Sequence, residues 1–183
     1  MKPKINRAGD VKKGAGYDEC QTPPHAIEPL LDLIPKGWRI WECAMGKGNL
    51  YRAFGDAGYT VFGTDIIQDN KYNFFTYVFP ADFNVIVTNP PYSIKYQWLE
   101  RCYEIGKPFA LLMPVEMLGA QKAQKLFVKY GIEITFLPRR VNFEMPNKGY
   151  SGAGAQFPVA WYTWKLLNKP IRFWGWESLD DKT

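Results

Sequence analysis

Val85-Ile86-Val87-Thr88-Asn89-Pro90-Pro91-Tyr92-Ser93 is an apolar, β-branched run that stops in Asn-Pro-Pro-Tyr. Such a run predicts a buried strand ending at the rim of a sheet. Neither proline can donate a ladder hydrogen bond, so the strand cannot continue past Asn89. The rim then presents a side-chain amide, two stiff backbone carbonyls and an aromatic ring. Asn-Pro and Pro-Pro are also ordinary turn punctuation, so the stretch takes its meaning from what surrounds it.

Upstream, Trp38-Arg39-Ile40 leads into Trp41-Glu42-Cys43-Ala44-Met45-Gly46-Lys47-Gly48-Asn49-Leu50. This reads as strand, small-residue turn and helix. Gly46 and Gly48 allow close approach of backbone to a ligand. The third glycine of a dinucleotide turn is missing, with Tyr51 in its place. A second strand, Tyr59-Thr60-Val61-Phe62-Gly63-Thr64-Asp65-Ile66, ends on Asp65. That position suits an acid that holds ribose hydroxyls, and equally a turn cap. Glycine turn and acid together imply a nucleoside-bearing cofactor, without separating NAD from S-adenosylmethionine.

The remaining pattern alternates helix and strand. Ile27, Leu30, Leu31 and Ile34 share a helical face after Pro23-Pro24, and Pro35 ends that helix. Strands are expected near 38–43, 59–64, 84–88, 109–114, 132–137 and 158–164. Helices should carry Trp98, Leu99 and Cys102, then Ala123, Leu126, Phe127 and Tyr130. Only a loop separates the last two strands, which predicts an antiparallel pair at the sheet edge. The expected architecture is α/β, an open, mostly parallel sheet with helices on both faces. In such sheets ligands sit at the carboxyl ends of the strands, where the glycine turn, Asp65 and Asn89 would all lie.

Composition narrows the classes. A chain of 183 residues suits one domain with a sizeable core. Residues 1–16 carry Lys and Gly with little apolar content and read as a mobile basic arm before a single domain, 17–183. No apolar run reaches the roughly 18 residues that span a bilayer, and no apolar signal core follows the basic start. Cys20, Cys43 and Cys102 are widely spaced and form no metal pattern, which points to a reducing, cytoplasmic compartment. The one histidine, His25, sits at a helix start, which argues against histidine-dependent triads and metal sites. The formal net charge of +5 favours a polyanionic partner. Lys2, Lys4, Arg7, Lys12 and Lys13 crowd the arm, and Arg139, Arg140 and Lys148 lie with Gly149, Gly152 and Gly154 in a loop, 139–155, that is a candidate DNA-contact element.

Asn-Pro-Pro-Tyr suits a planar amine. The exocyclic nitrogen of adenine is a poor nucleophile because its lone pair is delocalised. Two acceptors, the Asn89 side-chain oxygen and the Pro90 carbonyl, would take its hydrogens and free the lone pair. Pro90 and Pro91 stiffen that carbonyl before substrate arrives. The Tyr92 ring would stack on the base, worth roughly 1–3 kcal/mol.

Taken together these segments resemble the class I S-adenosylmethionine-dependent methyltransferases, and within them the N6-adenine DNA methyltransferases with an N-P-P-Y motif. Glu42 to Asn49 resembles that group's E-P-A-x-G-x-G cofactor motif, with Cys43 where proline is usual. Gly63-Thr64-Asp65-Ile66 is similar to its ribose-binding segment, and Thr88 to Ser93 to its catalytic motif. Tyr17 to Pro23 resembles the N-terminal motif that covers the cofactor's methionine part, in γ-type order. Asn73-Phe74-Phe75 stands where Asp-Phe is usual beside the cofactor adenine, with Asn as a departure. The late segment, Pro138 to Phe143 and Phe157 to Trp161, is similar to small phage-encoded members, and the resemblance spans about residues 17 to 165.

The resemblance implies a Rossmann-like sheet, S-adenosylmethionine held by Tyr17, Thr22, Glu42, Ala44, Gly46, Gly48, Asn49, Asp65, Ile66, Asn73 and Phe74, and no metal. It implies Asn89, Pro90, Pro91 and Tyr92 as catalytic residues. Duplex DNA with a flipped adenine would meet Tyr92, Ser93, Arg139, Arg140, Phe143 and Lys148. The chain has no room for a separate target-recognition domain. Selectivity is therefore low, limited to a short context, or supplied by a second copy or a protein partner. Rival readings are methylation of RNA or of a protein glutamine, a silent nucleic-acid-binding module of the same fold, and a nicotinamide dehydrogenase.

Overall fold

The computed structural model describes residues 20–79, 82–145, 149–150 and 157–176. The basic arm, Tyr17 and Lys148 lie outside the described residues. The central sheet is built from β1 (Arg39–Glu42), β2 (Thr60–Gly63), β3 (Val85–Thr88), β4 (Phe109–Pro114), β5 (Glu133–Phe136), β8 (Val159–Trp164) and β9 (Ile171–Phe173). A separate two-stranded ladder pairs β6 (Glu144–Met145) with β7 (Gly149–Tyr150). The helices are α1 (Asn49–Asp56), α2 (Lys95–Ile105) and α3 (Gln121–Tyr130).

Strand order in the sheet is β2-β1-β3-β4-β8-β5-β9. Neighbours pair in parallel except at β8, which runs against both β4 and β5. The sheet is thus Rossmann-like and mostly parallel. The antiparallel pair expected from residues 132–137 and 158–164 forms as β5 and β8. β8 slots between β4 and β5, and the short β9 lies outside them.

The inner strands β3, β4 and β8 are buried on both sides, β2 and β9 at the edges are partly exposed, and alternation sorts the side chains between two cores. On one face Trp41, Ile86, Leu111, Met113 and Tyr162 pack with α2 and α3 through Trp98, Leu99, Cys102 and Ala123. On the other, Ile40, Val85, Val87, Leu112 and Trp161 pack with α1 through Leu50, Ala53 and Phe54, and with Ile27 and Leu30. Helical layers therefore cover both faces.

The helix expected after Pro23-Pro24 is instead a short 3-10 segment, Pro24–Leu30. Pro29 lies inside it, and a proline removes the amide an α-helix would use and clashes with the preceding turn. The expected face survives, with Ile27, Leu30 and Ile34 all buried. Among the described residues no helix is long and apolar enough to cross a membrane.

Candidate active site

The chain leaves β1 for β2 on one side and later enters β3 on the other, so β1 lies where the strand order reverses. A crevice at such a reversal, beyond the carboxyl ends of the strands, is the ligand position of open α/β sheets. The loops meeting there are Cys43–Gly48 after β1, Thr64–Ile67 after β2 and Asn89–Tyr92 after β3.

The turn after β1 needs its glycines. Gly46 has φ 54° and Gly48 has φ 82°, both left-handed, a region costly for residues with a Cβ. A Cβ on Gly46 would fall 2.7 Å from Gln21 Nε2. Asp65 closes the turn from the side. Its Oδ2 accepts from the Gly46 amide at 2.7 Å and its Oδ1 from the Ile67 amide at 2.8 Å. Here Asp65 caps the turn and stands at the strand end the sequence pattern indicated. Ile66 is exposed beside it. Asn49 opens α1 and accepts from Arg52 Nη2 at 2.7 Å.

Glu42 ends β1 and is 2% exposed. Its Oε1 accepts from the Thr88 hydroxyl at 2.5 Å and from the Ala44 amide at 3.2 Å. Its Oε2 is buried with no hydrogen-bond partner. Burial pushes the Glu42 carboxyl up to about 8, the Thr88 and Ala44 hydrogen bonds pull it back, and the Asp65 charge adds to the rise. Glu42 therefore holds its proton near neutral pH until something cationic arrives.

Asn89 follows β3 directly. Its side-chain oxygen is buried and unpartnered, and so is the Tyr92 hydroxyl. Pro90 is buried, and Pro91 is extended at φ −61°, ψ 122°. The Tyr92 ring meets Phe157 edge-on, 5.8 Å between centroids. Burial holds the Tyr92 phenol well above its ordinary range, so it stays a neutral hydroxyl. Ser93 is exposed.

The other expected site residues differ in their surroundings. The Phe74 ring is 3% exposed and stacks on Trp98 at 4.0 Å, so it belongs to the core. Asn73 accepts from the Phe75 amide at 3.0 Å and turns the chain locally. Phe143 is also buried, at 7%, in the layer that holds Tyr92 and Phe157. Arg139 and Arg140 are exposed, while the adjoining Val141 is buried and anchors them.

Gln21 lies in the Tyr17 to Pro23 segment but is not among the expected site residues. Its backbone exchanges two 2.9 Å hydrogen bonds with Glu144, and its Oε1 accepts from the Lys47 amide at 2.9 Å. It ties the N-terminal segment, the glycine turn and the segment after Arg140 together, with Thr22 buried next to it. These contacts join residues far apart in the chain, so no local spacing could have signalled them. Among the described residues no three His, Cys, Asp or Glu side chains group as metal ligands.

No protein-family model matches the chain, and neither does any curated protein. Among solved structures, the crystal structure of a predicted O-methyltransferase from Agrobacterium tumefaciens is similar to it, with 15% identity and a TM-score of 0.39. The match covers 78% of this chain and 81% of that one. At that distance the site's own geometry has to carry the functional reading.

Proposed function

We propose that this chain transfers a methyl group from S-adenosylmethionine to the N6 amine of adenine in DNA. The observation that carries the reading is the buried, unpartnered Asn89 oxygen, at the end of β3 and followed by two prolines. Buried acceptors normally have a donor. An amine with two hydrogens is a suitable donor here.

The residues around the glycine turn fit the cofactor. S-adenosylmethionine carries cationic groups, and Glu42 Oε2 is buried without a partner, an acceptor for such a group once the carboxyl ionises. Gly46 and Gly48 hold the turn in left-handed backbone, with the Gln21 side chain lying against Gly46, and Asp65 stands ready beside them to exchange its turn contacts for ribose hydroxyls. When bound, the cofactor supplies an electrophilic methyl group.

The chain's own part is orientation. Asn89 Oδ1 and the Pro90 carbonyl accept the two amine hydrogens and turn the nitrogen lone pair toward the electrophile. Tyr92, backed by Phe157, supplies an aromatic face for the base. The leaving group would be a neutral thioether, so no general base is required before attack, and the methylated nitrogen then gives up one of its two hydrogens as a proton to water. Exposed Arg139 and Arg140 supply phosphate contacts to a duplex whose adenine is flipped out, a step that costs a few kcal/mol, on the order of one unstacked base.

The test is transfer of a labelled methyl group from S-adenosylmethionine to unmethylated duplex DNA, to RNA and to glutamine-containing peptides in parallel. Label in DNA alone is expected. Label confined to RNA or peptide would replace the substrate class, and label in none, with no cofactor binding, would favour a silent module.

A further inference from the structure

The Asn-Pro-Pro-Tyr reading gives no task to Thr88, the residue just before it. Yet Thr88 is fully buried at the end of β3, and its hydroxyl reaches across to the end of β1. We propose that Thr88 is a positioning residue, whose hydroxyl occupies Glu42 Oε1 and leaves Oε2 as the oxygen that receives a cationic group of the cofactor. The proposal rests on the cofactor reading above.

The geometry argues for a specific role. Both hydrogen bonds to the Glu42 carboxyl, from Thr88 and from the Ala44 amide, go to Oε1. Oε2 is buried and receives nothing. A carboxyl held on one oxygen by two donors has a defined orientation, and its second oxygen is set aside for a ligand. Thr88 also adjoins Asn89, so one residue links the cofactor acid on β1 to the substrate amide on β3.

The groups that bear on Glu42 are Thr88 from β3, the Ala44 amide from the turn and Asp65 from the end of β2. The neighbouring Cys43 thiol, buried with Cys102 of α2 beside it, is held far above its ordinary range and stays neutral. Thr88 and Ala44 favour the carboxylate, while burial and Asp65 oppose it. Removing the hydroxyl therefore makes Glu42 harder to ionise and weakens its hold on a cation.

The test follows Glu42 directly. The carboxyl is titrated by carbon NMR in ligand-free wild type, Thr88→Val and Thr88→Ser, with Glu42→Gln to identify the signal. S-adenosylmethionine binding is measured calorimetrically at pH 7. Thr88→Val should raise the Glu42 midpoint by roughly one pH unit and weaken cofactor binding about tenfold. Thr88→Ser should restore both. Thr88→Ala repeats the comparison if the valine variant does not fold. A Glu42 midpoint unchanged by loss of the hydroxyl, with wild-type cofactor binding intact, would overturn the role of Thr88 alone. Absence of cofactor binding by wild type at every pH would instead bring down the cofactor reading and the proposal with it.

Discussion

The two halves of the sheet treat their polar groups differently. In the half formed by β8, β5 and β9, buried donors and acceptors are largely paired. Trp161 Nε1 donates to the Ala26 carbonyl at 2.8 Å and the Tyr162 hydroxyl to the Pro114 carbonyl at 2.9 Å. The Glu133 carboxylate accepts from the amides of Lys165, Leu166 and Leu167. Arg172 donates to both Asp32 oxygens. The exception there is the Thr135 hydroxyl. At the rim of β1 and β3, by contrast, Glu42 Oε2, Asn89 Oδ1 and the Tyr92 hydroxyl are buried without partners. An unpaired buried polar group costs about 1–3 kcal/mol. Three at or after the ends of β1 and β3 form a destabilised rim that a ligand can repay, whereas the paired half supplies rigidity. Trp98 Nε1 and Arg101 Nε on α2 are also unpaired, and neither has a physical account.

Substitutions in the two halves should separate activity from stability. The largest effect is expected for Asn89→Ala, which should reduce methyl transfer by at least about a hundredfold while leaving cofactor binding unchanged by calorimetry. Near-normal turnover would remove Asn89 from the reaction. Trp161→Ala, in the paired half, should cost about 3–5 kcal/mol in denaturant unfolding. The fraction that remains folded should keep its cofactor affinity, and loss of affinity at full folding would blur the division.

Glu42 gives a smaller effect, with a sign. Its carboxyl is raised in the folded state from 4.5 to about 8. Between those values the folded protein holds a proton that the unfolded chain has lost. Glu42 therefore makes stability fall as pH rises through that window, by up to roughly 1.4 kcal/mol per pH unit. Glu42→Gln should flatten this trend in unfolding experiments run from pH 5 to pH 8. An identical pH dependence in wild type and variant would mean that Glu42 is ionised when folded. The smallest expected effect is at the exposed Arg139 and Arg140. Changing both to alanine should lower the salt slope of DNA binding by up to roughly 2, and an unchanged slope would place the DNA elsewhere.

The same contrast marks what could be read in the chain. β1, β3 and β4 were legible because apolar runs end at proline or small residues, β8 because its apolar run opens after Pro158, and the spacing places Glu42, Asp65 and Asn89 on one rim. β9 was not, because Ile171-Arg172-Phe173 is three residues long and follows Pro170. The 3-10 form of Pro24–Leu30 depends on Pro29, which the apolar spacing of Ile27, Leu30 and Ile34 masked. Phe74 and Phe143 stand in expected motif positions, and motif position did not say that both rings also pack into the core. Thr88 and Gln21 escaped because their partners lie 46 and 26 residues away, and side-chain hydrogen bonds at that range leave no periodic trace.

The most direct measurement is digestion of duplex DNA to nucleosides after incubation with S-adenosylmethionine and the protein, followed by mass spectrometry. A rise in N6-methyladenine that is lost with Asn89→Ala is the predicted result. DNA free of any methylated base, from a wild-type protein that binds the cofactor, would contradict the claim that the unpaired rim of β1 and β3 is an adenine methylation site.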